Sequence, residues 1–261
     1  MGARSSYAPG TFCWVDLSTS HATAAAAFYG ALFGWQTEDV PAGESVTYNA
    51  MLHLDGAPVA ALYGLTDEQQ AQGVRPHWLS YVSVEDVDAS AQRVAQLGGT
   101  VCAGPFDVMD AGRMAVLIDP AGALLALWQA GAHHGAARVN DPGCLTSNTL
   151  VIPEPASVVD FYGDLFGWSI EEAPGSHSSW TITNDGAMNG GIMQSQAGGA
   201  PPHWAVFFTV TDTDADAALV RVGKLGGHPL MPPIDVPSGR FAVAADPQGA
   251  TFCLWEGSGD D

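Results

Sequence analysis

The sequence predicts an α+β protein of two similar domains, each assembled from two β-α-β-β-β units, and three observations carry that prediction. The segment Phe28-Tyr-Gly-Ala-Leu-Phe-Gly-Trp35 returns as Phe161-Tyr-Gly-Asp-Leu-Phe-Gly-Trp168, and Gly112-Arg-Met-Ala-Val-Leu-Ile-Asp-Pro-Ala-Gly122 returns as Gly239-Arg-Phe-Ala-Val-Ala-Ala-Asp-Pro-Gln-Gly249. Pro76-His-Trp78 recurs as Pro202-His-Trp204 and Gln96-Leu-Gly-Gly99 as Lys224-Leu-Gly-Gly227, so offsets of 133, 126, 128 and 127 residues follow in chain order. A period this long suits one globular domain per copy and is far beyond any solenoid repeat. Within each copy, strand and helix patterns then follow one another twice.

Each half opens on an apolar stretch, Thr11–Leu17 or Leu145–Ile152, that reads as a strand. The helix Ala22–Phe33 follows, with Ala25, Phe28, Leu32 and Phe33 on one face, and Pro155–Phe166 repeats it with Val158, Phe161, Tyr162, Leu165 and Phe166. Phe-Gly-Trp closes both helices, placing glycine where the chain leaves with positive φ. Two short strands then turn at Asp55-Gly56 and at Asp185-Gly186, a dipeptide suited to a tight hairpin.

The second unit of the first half begins with the alternating strand Trp78–Val84. Asp86 caps a helix that places Val87, Ala91, Val94 and Leu97 on one stripe and ends at Gly98-Gly99. Strands around Val101–Ala103, Arg113–Asp119 and Ala123–Trp128 complete it. Their counterparts are Ala205–Val210, Asp214–Leu225, His228–Met231, Arg240–Ala245 and Ala250–Trp255. The expected domains are 8–130 and 143–257, with 131–142 as the linker.

Charge narrows the function. With 28 acidic residues against 8 basic ones, the formal net charge is −20, a field that repels nucleic acid and anionic lipid. No apolar run reaches membrane-spanning length and residues 1–10 lack the apolar core of a secretory signal, so the expected location is cytoplasmic. Cys13, Cys102, Cys144 and Cys253 are far apart and read as four buried thiols, neither disulfides nor a zinc site.

A strand, a helix ending Phe-Tyr-x-x-Leu-Phe-Gly-Trp, and a final hairpin Gly-Arg-x-Ala-Val-x-x-Asp-Pro-x-Gly-Ala-x-x-x-Leu-Trp together resemble the vicinal oxygen chelate superfamily. That superfamily groups glyoxalase I, extradiol dioxygenases and bleomycin-resistance proteins. The likeness runs from about Gly10 to Trp255 and looks closest to the tandem two-domain actinobacterial type. It implies two glyoxalase-like domains, each a cup-shaped, eight-stranded mixed sheet with helices outside and a site within.

Metal-dependent members of that superfamily hold a divalent ion through histidine, glutamine or glutamate on the first strand of each unit and on the last strand. Carried onto this chain, those slots read Trp14, Leu79 and Ala126 in the first domain and Ser147, Ala205 and Cys253 in the second. The remaining slot falls within Ala57–Thr66 or Ala187–Gln196, which contain no carboxylate or histidine. A metal-free protein is therefore expected, without glyoxalase I or extradiol dioxygenase activity; no Gly-rich phosphate loop is present and no cofactor is expected, an aromatic cup that holds a flavin without such a loop being the open alternative. His77 and His203 lie near the slots but beside prolines, and read more readily as rim residues than as ligands.

Strand alternation instead gives each cup an apolar lining. Trp14, Leu79, Tyr81, Ala126 and Trp128 are expected to line the first, and Ser147, Thr149, Phe207, Cys253 and Trp255 the second. Such surfaces suit a flat, hydrophobic small molecule. Asp16 among Trp14, Tyr81 and Leu79 is the candidate general acid or base, its pKa raised if it is poorly solvated, or else a partner of Arg113 or of backbone amides. Arg113, recurring as Arg240, is the candidate for holding a ligand oxygen, or else pairs with Asp110 or another acid across the sheet.

Two functions stand against each other on these residues. One is metal-independent binding of an aromatic antibiotic or secondary-metabolite intermediate, for resistance, sequestration or delivery. The other is a cofactor-free tailoring enzyme with Asp16 as proton shuttle and Arg113 or Tyr81 steadying an enolate or phenolate. Beyond the small molecule, a second copy of the chain or a partner tailoring enzyme is left open, and one domain acting only as a scaffold is a third reading.

Overall fold

The computed structural model describes residues 2–40, 49–173, 176, 178–195, 199–210 and 214–257. In the first copy the order is β1 (Phe12–Thr19), α1 (Ala22–Phe33), β2 (Gln36–Val40), β3 (Asn49–Leu54), β4 (Ala57–Gly64), α2 (Asp67–Ala71), β5 (His77–Ser83), α3 (Val87–Gln96), β6 (Thr100–Val108), β7 (Gly112–Ile118) and β8 (Leu124–Ala130). The second copy has β9 (Leu145–Ile152), a 3-10 turn at Pro155–Ser157, α4 (Val159–Phe166), β10 (Ser169–Glu172), β11 (Ser179–Asn184), β12 (Ala187–Gln194), β13 (His203–Thr209), α5 (Ala215–Lys224), β14 (His228–Val236), β15 (Gly239–Ala245) and β16 (Thr251–Gly257).

Each copy makes one eight-stranded mixed sheet, ordered β2-β3-β4-β1-β5-β8-β7-β6 and β10-β11-β12-β9-β13-β16-β15-β14. The first strands of the two units, β1 and β5, meet antiparallel at the centre, and each takes the last strand of its own unit, β4 or β8, as a parallel neighbour. The expected turn chemistry is present. Gly34 and Gly167 end α1 and α4 in the left-handed region, and both Asp-Gly hairpins have positive φ at both residues.

Three features differ from the sequence reading. The short helix α2 was not expected, although Thr66-x-x-Gln69 is a capping box: the Thr66 hydroxyl accepts from the Gln69 amide and the Gln69 side chain from the Thr66 amide. The helix expected over Pro155–Phe166 starts as a 3-10 turn, and α4 proper begins at Val159. Cys102 is exposed rather than buried, because β6 is a sheet edge; Cys13, Cys144 and Cys253 are buried.

The helices do not pack only within their own copy. One core joins α1 and the β1–β4 unit to α5 and the β13–β16 unit, and a second joins α3 and β7–β8 to α4 and the β9–β12 unit. The repeated motif is the clasp between them. Tyr29 donates to the Asp246 carboxylate at 3.2 Å and Tyr162 to Asp119 at 2.8 Å. The Trp35 indole donates to the Gly143 carbonyl at 2.8 Å, and the Trp168 indole to Gly10 at 2.7 Å. Asp119 and Asp246, each opening an Asp-Pro-x-Gly sequence, are thus buried acceptors between the copies. No helix among the described residues is long and apolar enough to cross a membrane.

Candidate functional site

With the helices on one side of each sheet, alternation sends the other set of side chains into the cup. Val15 and Leu17 join the helix-side core, whereas Trp14, Asp16 and Ser18 face the other way. Register then arranges the first cup in rows, since paired positions on neighbouring strands share a face. Trp14 stands beside Tyr81, and Tyr81 beside Ala126. Asp16 stands between Ala61 and Leu79, and Ser18 between Tyr63 and His77. Trp128 stands beside Ser83. Trp14, Leu79, Tyr81, Ala126 and Trp128 form one buried cluster, with Met51, Ala61, Met114 and Val116 half-buried around it.

Asp16 is 8% exposed. Its Oδ2 accepts from the Tyr81 hydroxyl at 2.5 Å, while Oδ1 is buried with no hydrogen-bond partner among the described residues. Burial pushes the carboxyl up to about 7, against a smaller opposing effect from the Tyr81 hydrogen bond. Burial and the Asp16 charge raise the phenols of Tyr81 and Tyr63, so both keep their protons at neutral pH. Ser18 is fully buried, and its hydroxyl lies beside the Tyr63 phenol.

Arg113 is not where a ligand-holding role needs it. It shares the parity of the helix-side residues Ala115 and Leu117, and its guanidinium takes Asp88 at 2.7 Å and Asp107 at 2.8 Å on the exposed outer face. It does not meet Asp16, and the acids it pairs with are Asp88 and Asp107 in place of Asp110, in keeping with the alternative of an acid across the sheet. Arg240 repeats the arrangement with Asp216, Asp235 and Glu256. Both arginines fasten a hairpin to the start of a helix.

Segment 131–139 does more than connect. The His133 ring lies edge-on to Trp14, with centroids 4.5 Å apart, and the Trp128 indole donates to the His133 carbonyl at 3.0 Å. Tyr7 donates to the Ala136 carbonyl at 2.6 Å, and the Ala136 amide donates to Cys13 at 2.8 Å. These residues roof the Trp14 end of the first cup. Burial lowers the His133 imidazole to about 4, holding it neutral. Neither the roof nor Tyr63 was found from sequence; alternation along Ala57–Gly64 would have given Tyr63.

The second cup is barer. Ser147, Thr149, Ala205 and Trp255 are half-buried, and only Phe207 and Cys253 of its expected lining are buried. Phe207 packs on Phe241 with centroids 5.4 Å apart and on Trp255 at 6.5 Å. Thr149 stands between Gly191 and Ala205, in the row where the first cup has Asp16. Burial raises the Cys253 thiol to about 12, too high for a thiolate at neutral pH. His77 and His203 are equivalent rim residues, with Nδ1 2.8 Å from the carbonyls of Arg75 and Pro201 respectively.

The frame, two tandem β-α-β-β-β pairs around a cup, is matched by a known domain. The family described as glyoxalase-like domain matches this sequence twice, over residues 14–128 and 148–255. The chain belongs to the glyoxalase-like family. Among its relatives, CFP32 of Mycobacterium tuberculosis, provisionally named a glyoxylase, is 41% identical over 97% of each chain. The anthracycline biosynthesis protein DnrV of Streptomyces peucetius is 35% identical over 96% of this chain and 94% of its own. Among solved structures, the Mn(II)-bound glyoxalase of Novosphingobium aromaticivorans has a TM-score of 0.64 at 17% identity, covering 98% of this chain and 83% of that one. The 2,2',3-trihydroxybiphenyl 1,2-dioxygenase of Sphingomonas wittichii reaches 0.65 at 14% identity, over 97% and 92%. The two structures share the fold.

One structure of this fold, the Novosphingobium glyoxalase, is Mn(II)-bound, which sets a fit test for a metal here. The β1, β5 and β8 slots of the first cup are indole, isobutyl and methyl, and the cup-facing residues of β4 beside Asp16 and Ser18 are Ala61 and Tyr63. A single carboxylate bonded to a phenol does not make a divalent site. In the second cup the slots are a hydroxyl, a methyl and a lone thiol, and the residues of β12 beside Thr149 and Val151 are Gly191 and Met193. Among the described residues, no three His, Cys, Asp or Glu side chains gather as an ion would require. Neither donor set fits.

Proposed function

We propose that this glyoxalase-like protein binds a hydrophobic, aromatic small molecule without a metal, in the first cup, and thereby sequesters or delivers it. The observation that carries the reading is Asp16. Among the described residues one oxygen of this buried carboxylate is unpartnered, which is costly for a fold to keep, and it sits among the apolar and aromatic walls of Trp14, Leu79, Tyr81 and Ala126. A ligand that brings an apolar ring to those walls and a donor to Oδ1 relieves that cost. The resemblance to a protein named for anthracycline biosynthesis fits a polycyclic aromatic ligand from secondary metabolism.

Titration with a panel of aromatic antibiotics and their intermediates tests this through tryptophan emission. Saturable quenching that is diminished in Trp14→Phe is the expected result; a flat response across the panel removes the proposal.

The second reading, a cofactor-free tailoring enzyme, is favoured by one further observation. The Asp16 carboxyl, raised to about 7, divides between its acid and base forms near neutral pH, and Tyr81 beside it is a ready hydrogen-bond donor. In that case Asp16→Asn stops product formation while a neutral aromatic still binds. Product formation at the unmodified rate in that variant counts against the reading.

A further inference from the structure

A buried carboxylate normally has a positive partner, and among the described residues Asp16 has none. The chain contains eight basic residues, and every one is elsewhere. Arg113, Arg138 and Arg240 are paired with acids on the surface, at Asp88, Asp55 and Asp216 among others. Arg4 and Arg221 donate to the carbonyls of Ala3 and Ala31, and Arg75, Arg93 and Lys224 are exposed. Among the described residues only the Tyr81 hydroxyl serves the carboxylate, which leaves Oδ1 bare.

The walls suit the missing charge. Trp14 stands on the same strand face one row away, Tyr81 touches the carboxylate, and Tyr63 lies close enough for the Asp16 charge to raise its phenol. Aromatic faces carry negative potential and attract cations, more strongly when water is excluded. The overall charge of −20 raises the local concentration of any cation near the protein. An anionic ligand meets the reverse of each effect.

We propose that the first cup selects ligands that are cationic as well as aromatic, an aryl compound bearing an amine or quaternary ammonium group that pairs with Asp16 Oδ1. This rests on the reading of the first cup as an aromatic site, and adds the charge of the ligand to it. The second cup, with Thr149 in the equivalent row, has no such selectivity.

Three probes that share one ring system separate the two claims: 2-naphthylmethyl-trimethylammonium, 2-naphthylmethanol and 2-naphthylacetate. Their affinities are measured by calorimetry in about 0.5 M salt, which screens the surface field. The ammonium probe is expected to bind at least about tenfold more tightly than the alcohol, and the carboxylate most weakly. In Asp16→Asn, and in Asp16→Ala as a second neutral variant, the ammonium probe loses its advantage over the alcohol, whatever the alcohol itself loses with its hydrogen bond to Oδ1. Circular dichroism establishes that both variants are folded. Equal binding of ammonium and alcohol by the unmodified protein overturns the charge claim alone, as does a preference that survives both variants. If none of the three binds, the aromatic site and the charge claim fall together.

Discussion

The two cups are built on one frame and have kept different contents. In the first, Trp14, Asp16 and Ser18 are all buried under rows of aromatic and apolar side chains, and segment 131–139 roofs the Trp14 end. In the second, the equivalent Ser147, Thr149 and Val151 are half-buried, and no acid stands among them. His77 and His203 make the contrast internal to the chain. Both are anchored through Nδ1 in the same way, yet His77 stands beside Ser18 and His203 beside Val151. What recurs therefore belongs to the frame, and what diverges belongs to the cups. The frame is shared because each copy's Tyr and Trp bond into the other copy, so a change in one half is felt in both.

The largest expected effect breaks that frame. Trp35→Ala and Trp168→Ala each remove an indole packed among Tyr, Phe and Trp rings together with its hydrogen bond to the opposite copy. Each is expected to cost about 3–5 kcal/mol in urea unfolding. Because the two sites are equivalent, the two losses should agree to within about 2 kcal/mol, the spread seen for one chemistry at different sites. A loss at one site only would mean that the copies do not clasp each other symmetrically.

The next effect separates the cups by pH. Asp16 is raised from 3.8 to about 7 in the fold, chiefly by burial, so the folded state prefers its protonated form. The resulting destabilisation is absent below pH 3.8, grows as pH rises, and is complete above pH 7. At 1.36 kcal/mol per unit it amounts to at most about 4 kcal/mol. Asp16→Asn should therefore match the unmodified protein near pH 4 and exceed it in stability at pH 8, a pattern seen by comparing denaturation midpoints across that range. Thr149→Asp makes the converse change in a half-buried row and should cost less, about 1–2 kcal/mol at pH 8. Equal costs in the two cups would erase the distinction between them.

The roof predicts an opposite pH trend. His133 is lowered from 6.5 to about 4 by burial, and the neighbouring His134 adds to this, so the fold holds it neutral. Its contribution is complete above pH 6.5 and is lost as pH falls toward 4. Replacing it by alanine uncovers Trp14 and Trp128, and their emission should shift to the red. An unchanged spectrum would show that the roof does not shield those rings.

The frame was legible because its signals are local. Period-two strands, helical stripes, Asp-Gly turns and helix-ending glycines all fall within a few residues of one another, and the duplication checked each against a second copy. The cup lining was legible for the same reason: parity alone places Trp14, Leu79, Tyr81 and Ala126 on one face. What was missed depends on distant chain. The roof needs residues 7 and 131–139 to meet Trp14, and the clasp needs Tyr29 to meet Asp246. No spacing along the sequence encodes either meeting.

Recurrence left Arg113 with two readings, holding a ligand oxygen or pairing with an acid across the sheet, and its parity with Ala115 and Leu117 goes with the second. The smallest predicted effect follows from that placement. Arg113→Ala removes exposed pairs with Asp88 and Asp107, and Arg240→Ala removes the same kind of pairs from the other copy. Exposed pairs trade Coulomb attraction for side-chain entropy and salt screening, so neither variant should lower stability much. The discriminating measurement is binding in the first cup. If Arg113 serves only the outer hairpin, its removal leaves the affinity for any first-cup ligand unchanged, and Arg240→Ala gives the same result. A selective loss in Arg113→Ala would mean that the outer face communicates with the cup, and would remove the ground for treating recurrence as a mark of the frame.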